Sequence, residues 1–253
     1  MSEICANCKE KFTGNFCSNC GQKKYKRIDR AYLLNEMQYT ILHTNKGFFF
    51  TVKSLIKNPG KTALEFINGK RVNHYKPILL AFVLTGLTTF LAFKVIGIDI
   101  INPDMYYGSQ EGTEAAIYEK IMLFYTKYFT VIMMFLIPVF ALVTKAMFRK
   151  WGHNYYEHIV MNAFFYSAYS IYSMIFMYPI LYFVRENVIG YHLVTYLFML
   201  LTPFLLVWFL KEIYKNKPMG VIAVKVIWVY VILFLLLIFS VIMGGLVLGL
   251  FMT

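Results

Sequence analysis

The chain has 253 residues and a formal net charge of +12, with 59% hydrophobic and only 15% charged residues. Soluble globular domains carry about 25% charged residues, so this composition and a mean hydropathy of +0.57 exclude an ordinary soluble protein. The basic excess lies in residues 1–76, ahead of the long apolar runs, which favours an anionic membrane surface over nucleic acid as the partner.

The N-terminal residues 1–28 contain all four cysteines, arranged as two C-x2-C pairs. Each pair can form a tight turn whose amides point at the thiolates, and two pairs supply the four soft ligands of tetrahedral zinc. Four unrelated thiols, an iron–sulfur cluster or a redox centre are the alternatives. The even pairing favours a closed, structural Zn²⁺ site that supplies folding energy. Its predicted ligands are Cys5, Cys8, Cys17 and Cys20.

A basic, amphipathic segment follows at residues 29–76. Apolar residues recur at helical spacing over residues 31–43, with Asp29 in the N-cap position. Residues 47–60 combine three consecutive phenylalanines with lysines, and this run is too short and too charged to cross about 30 Å of hydrocarbon. It predicts a helix that lies in the membrane interface or packs on the cytosolic end of the helix bundle, and the two arrangements are compatible.

The stretch from Asn58 to Pro77 leads into the first apolar run. Its Asn-Pro-Gly start ends the preceding helix, residues 61–68 predict two further helical turns, and Gly69 is the expected C-cap.

Four basic side chains then fall within this stretch: Lys70, Arg71, His74 and Lys76. A fork-shaped guanidinium beside ammonium groups suits a phosphate, so the cluster is a predicted contact for anionic lipid headgroups. The alternative is a topological role, in which positive charge next to the first span only fixes its orientation.

The remainder of the chain, residues 77–253, predicts an all-α bundle of five transmembrane helices. Most of the 25 Lys and Arg residues lie on one side if the N-terminus is cytosolic and the C-terminus is outside. The predicted spans are residues 78–98, 121–147, 159–184, 193–210 and 226–251.

No catalytic constellation is evident in the sequence. His153, Glu157 and His158 could place two metal ligands on one helix face, but no third ligand is fixed to them, so helix capping and topology explain them better. The third span is rich in Tyr and Ser, which either line a cavity or bond neighbouring helices. The spans contain no Asp or Glu for a proton relay, and a non-enzymatic role is favoured.

One part of the sequence carries a signature that extends from the Asn-Pro-Gly turn to the start of the first span. Its residues are Pro59, Gly60, Phe66, Ile67, Gly69, Lys70, Arg71, Tyr75 and Pro77. Together with the cysteine pairs, this signature resembles a group of uncharacterised bacterial membrane proteins with a zinc-ribbon-like start, catalogued as a domain of unknown function. The resemblance implies a bacterial inner-membrane protein and no particular activity.

These observations predict a non-enzymatic polytopic inner-membrane scaffold or interaction protein. Its cytosolic zinc module would be stabilising or would bind a protein partner, and its basic segment would contact anionic headgroups. The alternative is a transporter or flippase of a lipid-linked or anionic solute, which requires the polar third span to line a cavity.

Overall fold

The computed structural model describes residues 3–24, 27–30, 32, 47–97 and 113–252 of the chain. The helix predicted over residues 31–43 and most of the loop predicted at 99–120 lie outside the described residues. Asp29 does occupy the expected capping position, since its Oδ1 accepts a 2.7 Å hydrogen bond from the Tyr32 amide.

The N-terminal module contains two short antiparallel strands, β1 (Glu3–Ile4) and β2 (Lys11–Phe12), with Glu3 opposite Phe12. Its buried hydrophobic residues are two of the cysteines and Phe12. A unit with so small a core depends on bound metal or on external contacts for its stability.

Two short helices follow, α1 (Phe48–Lys57) and α2 (Pro59–Ile67). Asn58 separates them and caps α2, because its side chain accepts a 2.9 Å hydrogen bond from the Lys61 amide. Pro59 takes the first helical position, where its missing N–H costs nothing. The predicted helix after the turn is therefore confirmed, and it begins two residues earlier than predicted.

The remaining chain is helical almost throughout and contains five helices that are long and apolar enough to cross a membrane, among the residues that the structure describes. This confirms the predicted all-α class. The helices are α3 (Pro77–Phe90, extended by a π-helical turn at Leu91–Ile96), α4 (Thr113–Met147), α5 (Tyr155–Tyr172, extended by a π-helical turn at Ser173–Met177), α6 (Tyr178–Val184), α7 (Val188–Ile213) and α8 (Met219–Met252).

Four of the spans begin at least four residues earlier than the apolar pattern predicts, and two of these are α4 at Thr113 and α5 at Tyr155. Helix α7 starts at Val188 rather than near 193, and α8 starts at Met219 rather than at 226. Lys225 consequently lies inside a helix instead of in a loop, and its Nζ donates a 2.7 Å hydrogen bond to the Met147 carbonyl at the end of α4. The hydropathy pattern assigns Lys225 to a loop, although a helix tolerates a lysine whose ammonium group lies outside the apolar layer.

Helix α5 is the centre of the bundle. It packs against α3 and α4, against α2 near its middle at Phe164, and against α1 near its C-terminus at Tyr172. The most apolar part of the span formed by α5 and α6 is 61% buried, against 33% or less in the other four spans. Polar side chains on this helix are therefore surrounded mainly by other parts of the protein.

Both arrangements considered for residues 47–60 are consistent with the packing of α1 and α2. Helix α2 is largely buried against α5 and α7, whereas α1 buries Thr51 and Leu55 and leaves Phe49 84% exposed. Both helices thus pack on the bundle, and α1 retains an exposed apolar side chain at Phe49.

Candidate metal centre and the polar end of the helix bundle

The four cysteines of the N-terminal module lie together. Their Sγ atoms are all within 4.8 Å of one another, with Cys5 to Cys20 at 3.6 Å and Cys8 to Cys17 at 3.5 Å. A tetrahedral zinc with Zn–S bonds of about 2.3 Å separates its sulfurs by roughly 3.8 Å, so this set fits such an ion. Within the described ranges, it is the one group of three or more Cys, His, Asp or Glu side chains placed to hold a metal.

The two C-x2-C pairs adopt the same turn. The amide of the first cysteine donates to the carbonyl five residues on, Cys5 to Glu10 at 2.9 Å and Cys17 to Gln22 at 2.8 Å. Such turns direct the following amides at the thiols, as zinc knuckles require. The left-handed positions are Lys9 (φ 67°) and Gly21 (φ 70°).

The turn amides lower the pKa of a thiol in both pairs, but the net shifts at Cys8 and Cys20 are opposite. A hydrogen bond from the Glu10 amide opposes the shift, yet burial and the neighbouring thiols raise the pKa of Cys8 to about 12. Burial likewise opposes the shift at Cys20, yet hydrogen bonds from the Gln22 amide and the Asn7 side chain help to lower its pKa to about 6. One thiolate at neutral pH gives the cluster the negative charge that a metal cation needs.

Gln22 ties this module to the loop after α2. Its side chain is buried, and its Oε1 accepts hydrogen bonds from the amides of Arg71 (3.2 Å) and Val72 (3.0 Å). The residue that closes the second cysteine turn therefore also satisfies two backbone donors of the membrane domain.

A second attachment joins the module to the start of α5. Arg27 donates from Nε to Glu157 Oε1 (2.9 Å) and from Nη2 to Glu157 Oε2 (3.1 Å). The adjacent Ile28 is fully buried, and its carbonyl accepts a 2.9 Å hydrogen bond from Asn154 Nδ2. Since only 4% of the Glu157 side chain is exposed, this carboxylate depends on these protein partners for its hydrogen bonds.

Glu157 also closes a reciprocal cap at the N-terminus of α5. Its Oε2 accepts a 2.7 Å hydrogen bond from the Asn154 amide, while Asn154 Oδ1 accepts one of 2.9 Å from the Glu157 amide. The interpretation of Glu157 as a capping residue is confirmed.

The predicted headgroup residues lie together in the connection between α2 and α3, but several are engaged within the protein. Lys70 forms a 2.9 Å ion pair with Glu65. Arg71 donates from Nε to the Phe66 carbonyl (3.2 Å), and its guanidinium lies 4.5 Å from the centre of the Tyr32 ring. Lys76 directly precedes α3 as its N-cap residue.

His74 differs from the other three because it is buried, with its ring 5.2 Å from that of Phe50. Burial lowers the pKa of His74, although the nearby Glu65 carboxylate partly opposes this effect. The ring is therefore neutral at pH 7 and adds no charge to the cluster. Headgroup contact by this set stays a prediction.

The polar face of the third span is used for bonds within and between helices. Asn162 Nδ2 donates to Thr144 Oγ1 on α4 (3.0 Å), and the Tyr172 hydroxyl donates to the carbonyls of Leu55 and Ile56 on α1 (both 3.1 Å). Ser167 bonds back to its own helix at the Ala163 carbonyl (2.8 Å). These contacts favour interhelical bonding over a solvated lining.

Sequence reasoning did not identify Gln22 or Arg27 as contact residues. The Asn-x-x-Glu spacing of Asn154 and Glu157 is a readable capping signal. Nothing local, however, distinguishes Gln22 or Arg27 from solvated residues of a basic linker.

Fold and site together define a polytopic helical protein with five candidate membrane spans and a four-cysteine cluster at one end. Residues 45–89, which include α1, α2 and most of α3, match the family described as "Protein of unknown function (DUF3667)". The match covers less than half of the chain. No curated protein and no solved structure matches the sequence.

Proposed function

We propose that this protein is a non-enzymatic membrane scaffold in which a structural Zn²⁺ module caps the cytosolic end of the helix bundle. The observation that carries this proposal is the double attachment of the module, through Gln22 to the loop after α2 and through Arg27 to the buried Glu157. A module held in this way presents one fixed surface beside the membrane.

The bound metal would contact only its four cysteine ligands. Four thiolates fill a tetrahedral shell, so no position remains for a substrate, and the ion's contribution is to hold the two cysteine turns together. Because Gln22 belongs to the second turn, its orientation toward Arg71 and Val72 depends on that fold. Metal binding thereby stabilises the capped end of the bundle as well as the module.

A protein partner would meet the outer face of the module. Ile4 and Phe16 of the module are 65% and 59% exposed, so both apolar side chains are accessible to a partner. This surface supports an interaction role for the module.

The proposed orientation is N-terminus in the cytosol and C-terminus outside, in the inner membrane of a bacterium. The Lys and Arg side chains near the docked module support it, since cytoplasmic flanks are enriched in these residues. The exposed Phe49 on α1, together with Lys53 and Lys57, suits a helix side that rests on anionic headgroups. Headgroup binding by Lys70, Arg71 and Lys76 would extend the same surface.

The test uses the full-length protein in lipid nanodiscs, as the parent and as Cys17→Ser, with elemental analysis and hydrogen exchange. We expect one zinc per parent chain and none in the variant. We also expect faster exchange of the backbone amides at residues 71–72 and 152–157 in the variant. Zinc loss without faster exchange at these positions would leave a structural ion but refute the capping role.

Lipid contact is tested separately by native mass spectrometry of detergent-purified protein. The Arg71→Ala variant should retain less anionic phospholipid than the parent, with Lys150→Ala as a charge-matched control outside the predicted cluster. Equal retention by the two variants would reduce the basic cluster to a topological role.

The alternative of a transporter or flippase requires the face of α5 that carries Ser167 and Ser170 to be solvated. Both residues are buried. Cysteine introduced by Ser167→Cys or Ser170→Cys should therefore resist a membrane-impermeant maleimide applied from either side. Rapid labelling at both positions would favour the transport function over the scaffold.

A further inference from the structure

Three ring side chains meet at the end of the bundle beneath the docked module. His153 precedes α5, His158 lies in its first turns, and Tyr214 follows the end of α7. The ring centre of His153 is 5.3 Å from that of Tyr214 and 6.5 Å from that of His158. The mechanism of capping uses none of the three side chains.

Thr144 is the hydrogen-bond partner of His158 Nδ1, and its own bonds bear on which nitrogen of His158 carries the proton. Thr144 Oγ1 donates its only hydrogen to a backbone carbonyl of its own helix, at 2.9 Å for Phe140. It accepts from Asn162 Nδ2 at 3.0 Å, and while its hydrogen points at that carbonyl it also accepts from His158 Nδ1 at 3.1 Å. With the proton on Nδ1, Nε2 of the neutral His158 ring is a bare acceptor.

This acceptor and two nearby polar atoms have no protein partner. His158 Nε2, His153 Nδ1 and Tyr214 Oη are buried, and none is hydrogen-bonded to any residue within the described part of the chain. His158 is fully buried and Tyr214 is 6% exposed. Because nearly all buried polar atoms in native proteins are satisfied, each of these three atoms requires a partner, and His153 lies between the other two rings.

We propose that His153, His158 and Tyr214 form a binding site for a small neutral hydrogen-bonding ligand, which we identify as ordered water. His158 Nε2 requires a donor, while the Tyr214 hydroxyl requires an acceptor. Water supplies both, and a neutral His153 can serve it in either role. Buried waters of this kind bridge two to four polar groups.

The surrounding charges argue against an ion in this place. Glu157, the nearest carboxylate, is occupied by Arg27 and by the Asn154 amide, so it is not available to balance a metal. Lys145, whose Nζ donates a 2.6 Å hydrogen bond to the His153 carbonyl, repels a cation further. An anion would face the lone pair of His158 Nε2 as well as the Glu157 carboxylate.

The ionisation states of His153 and Tyr214 are consistent with a neutral ligand. Burial lowers the pKa of His153, with the Glu157 carboxylate partly opposing it. Burial, aided by the same carboxylate, raises the pKa of Tyr214. Both rings are therefore uncharged at pH 7, and a water between them would join the ends of α4, α5 and α7.

The test is a double-mutant cycle on the full-length protein in nanodiscs, read as the thermal unfolding midpoint. Tyr214→Phe removes only the hydroxyl, and His158→Asn keeps an amide nitrogen for Thr144 while it removes Nε2. We expect each variant to lower the midpoint by a few degrees, and the double variant to lower it by less than the two effects combined, because both lose the same ligand.

Two results for the unfolding midpoints would overturn the proposal. An unsatisfied hydroxyl is costly, so Tyr214→Phe would leave the midpoint unchanged or raise it if no ligand were bound. Additive losses would mean that the two atoms do not share a ligand. Elemental analysis of the Cys17→Ser protein adds a further check, since a metal that remains in it and is lost on His158→Asn would place an ion at this site.

Discussion

The guanidinium of Arg27 pairs through two hydrogen bonds with the carboxylate of Glu157, 130 positions further along the chain. Arg27 itself is more than half exposed, whereas only 4% of the Glu157 side chain is. The contact therefore matters chiefly for the glutamate, which would otherwise be a buried and partly unpaired charge at the start of the central helix.

Removal of the arginine should cost more stability than removal of both charges. For Arg27→Ala we expect a loss of about 1.5–3 kcal/mol, the scale of a hydrogen bond to a charged group. The double variant Arg27→Ala with Glu157→Gln should regain part of this loss, because no charge remains buried and glutamine can still cap the helix. Denaturant or thermal unfolding in nanodiscs measures the stability of the single and the double variant. A double variant no more stable than Arg27→Ala would contradict the role assigned to this ion pair.

Gln22→Leu should loosen the connection between the metal module and the membrane domain. Leucine has a similar size but no acceptor, so the amides of Arg71 and Val72 lose their partner. Hydrogen exchange at Val72 should accelerate by roughly tenfold, which corresponds to about 1.4 kcal/mol of lost protection. Gln22→Glu retains the acceptor and is the matched control, and equal exchange in the two variants would refute the contact.

Gly60→Ala should destabilise the packing of α2 on α7. A Cβ at this position would lie 2.7 Å from Glu212 Cβ and would also overlap the Phe209 carbonyl, so the two helices would have to separate, at a cost of roughly 1–3 kcal/mol. At Gly86 in α3, an added Cβ meets no atom within 4 Å. Gly86→Ala should therefore be tolerated or slightly stabilising, since alanine favours a helix by about 1 kcal/mol. Thermal unfolding compares Gly60→Ala with Gly86→Ala. Similar unfolding midpoints for the two variants would contradict the close approach of α2 to α7.

His74 should make folding sensitive to mild acid. Its pKa in the folded protein lies below its ordinary value of 6.5, mainly because the ring is buried. As the pH falls from 7 through this window, the unfolded chain gains a proton that the folded protein does not, so stability decreases by up to about 1.4 kcal/mol per pH unit. His74→Gln should reduce this slope between pH 5 and 7.

The comparison for His74 is best made in the Cys17→Ser background, where metal release at low pH does not contribute. His153→Gln serves as a positive control, because burial also lowers the pKa of that ring. If His74→Gln left the slope unchanged while His153→Gln reduced it, His74 would titrate normally in the folded protein.

Several features follow from local pattern alone. The cysteine pairs predict a four-ligand cluster, and runs of apolar residues predict five spans, because ligand spacing and hydrophobic length are properties of short stretches. Gly69, with φ at 100°, ends α2 as its position predicts. For the same reason, the starts of α7 and α8 were misplaced: hydropathy marks the apolar layer but not the helical turns that extend beyond it.

Other features depend on residues far apart in the chain. The sequence by itself determined that the N-terminal module gathers four cysteines and that the rest is helical, with five helices apolar enough to cross a membrane. Only the tertiary structure decided that Gln22 and Arg27 fasten one to the other, that Gly60 is a packing residue as well as part of a turn, and that His74 is buried. Burial and pairing are properties of the assembled chain, since they depend on which distant side chains and backbone groups displace water around a residue.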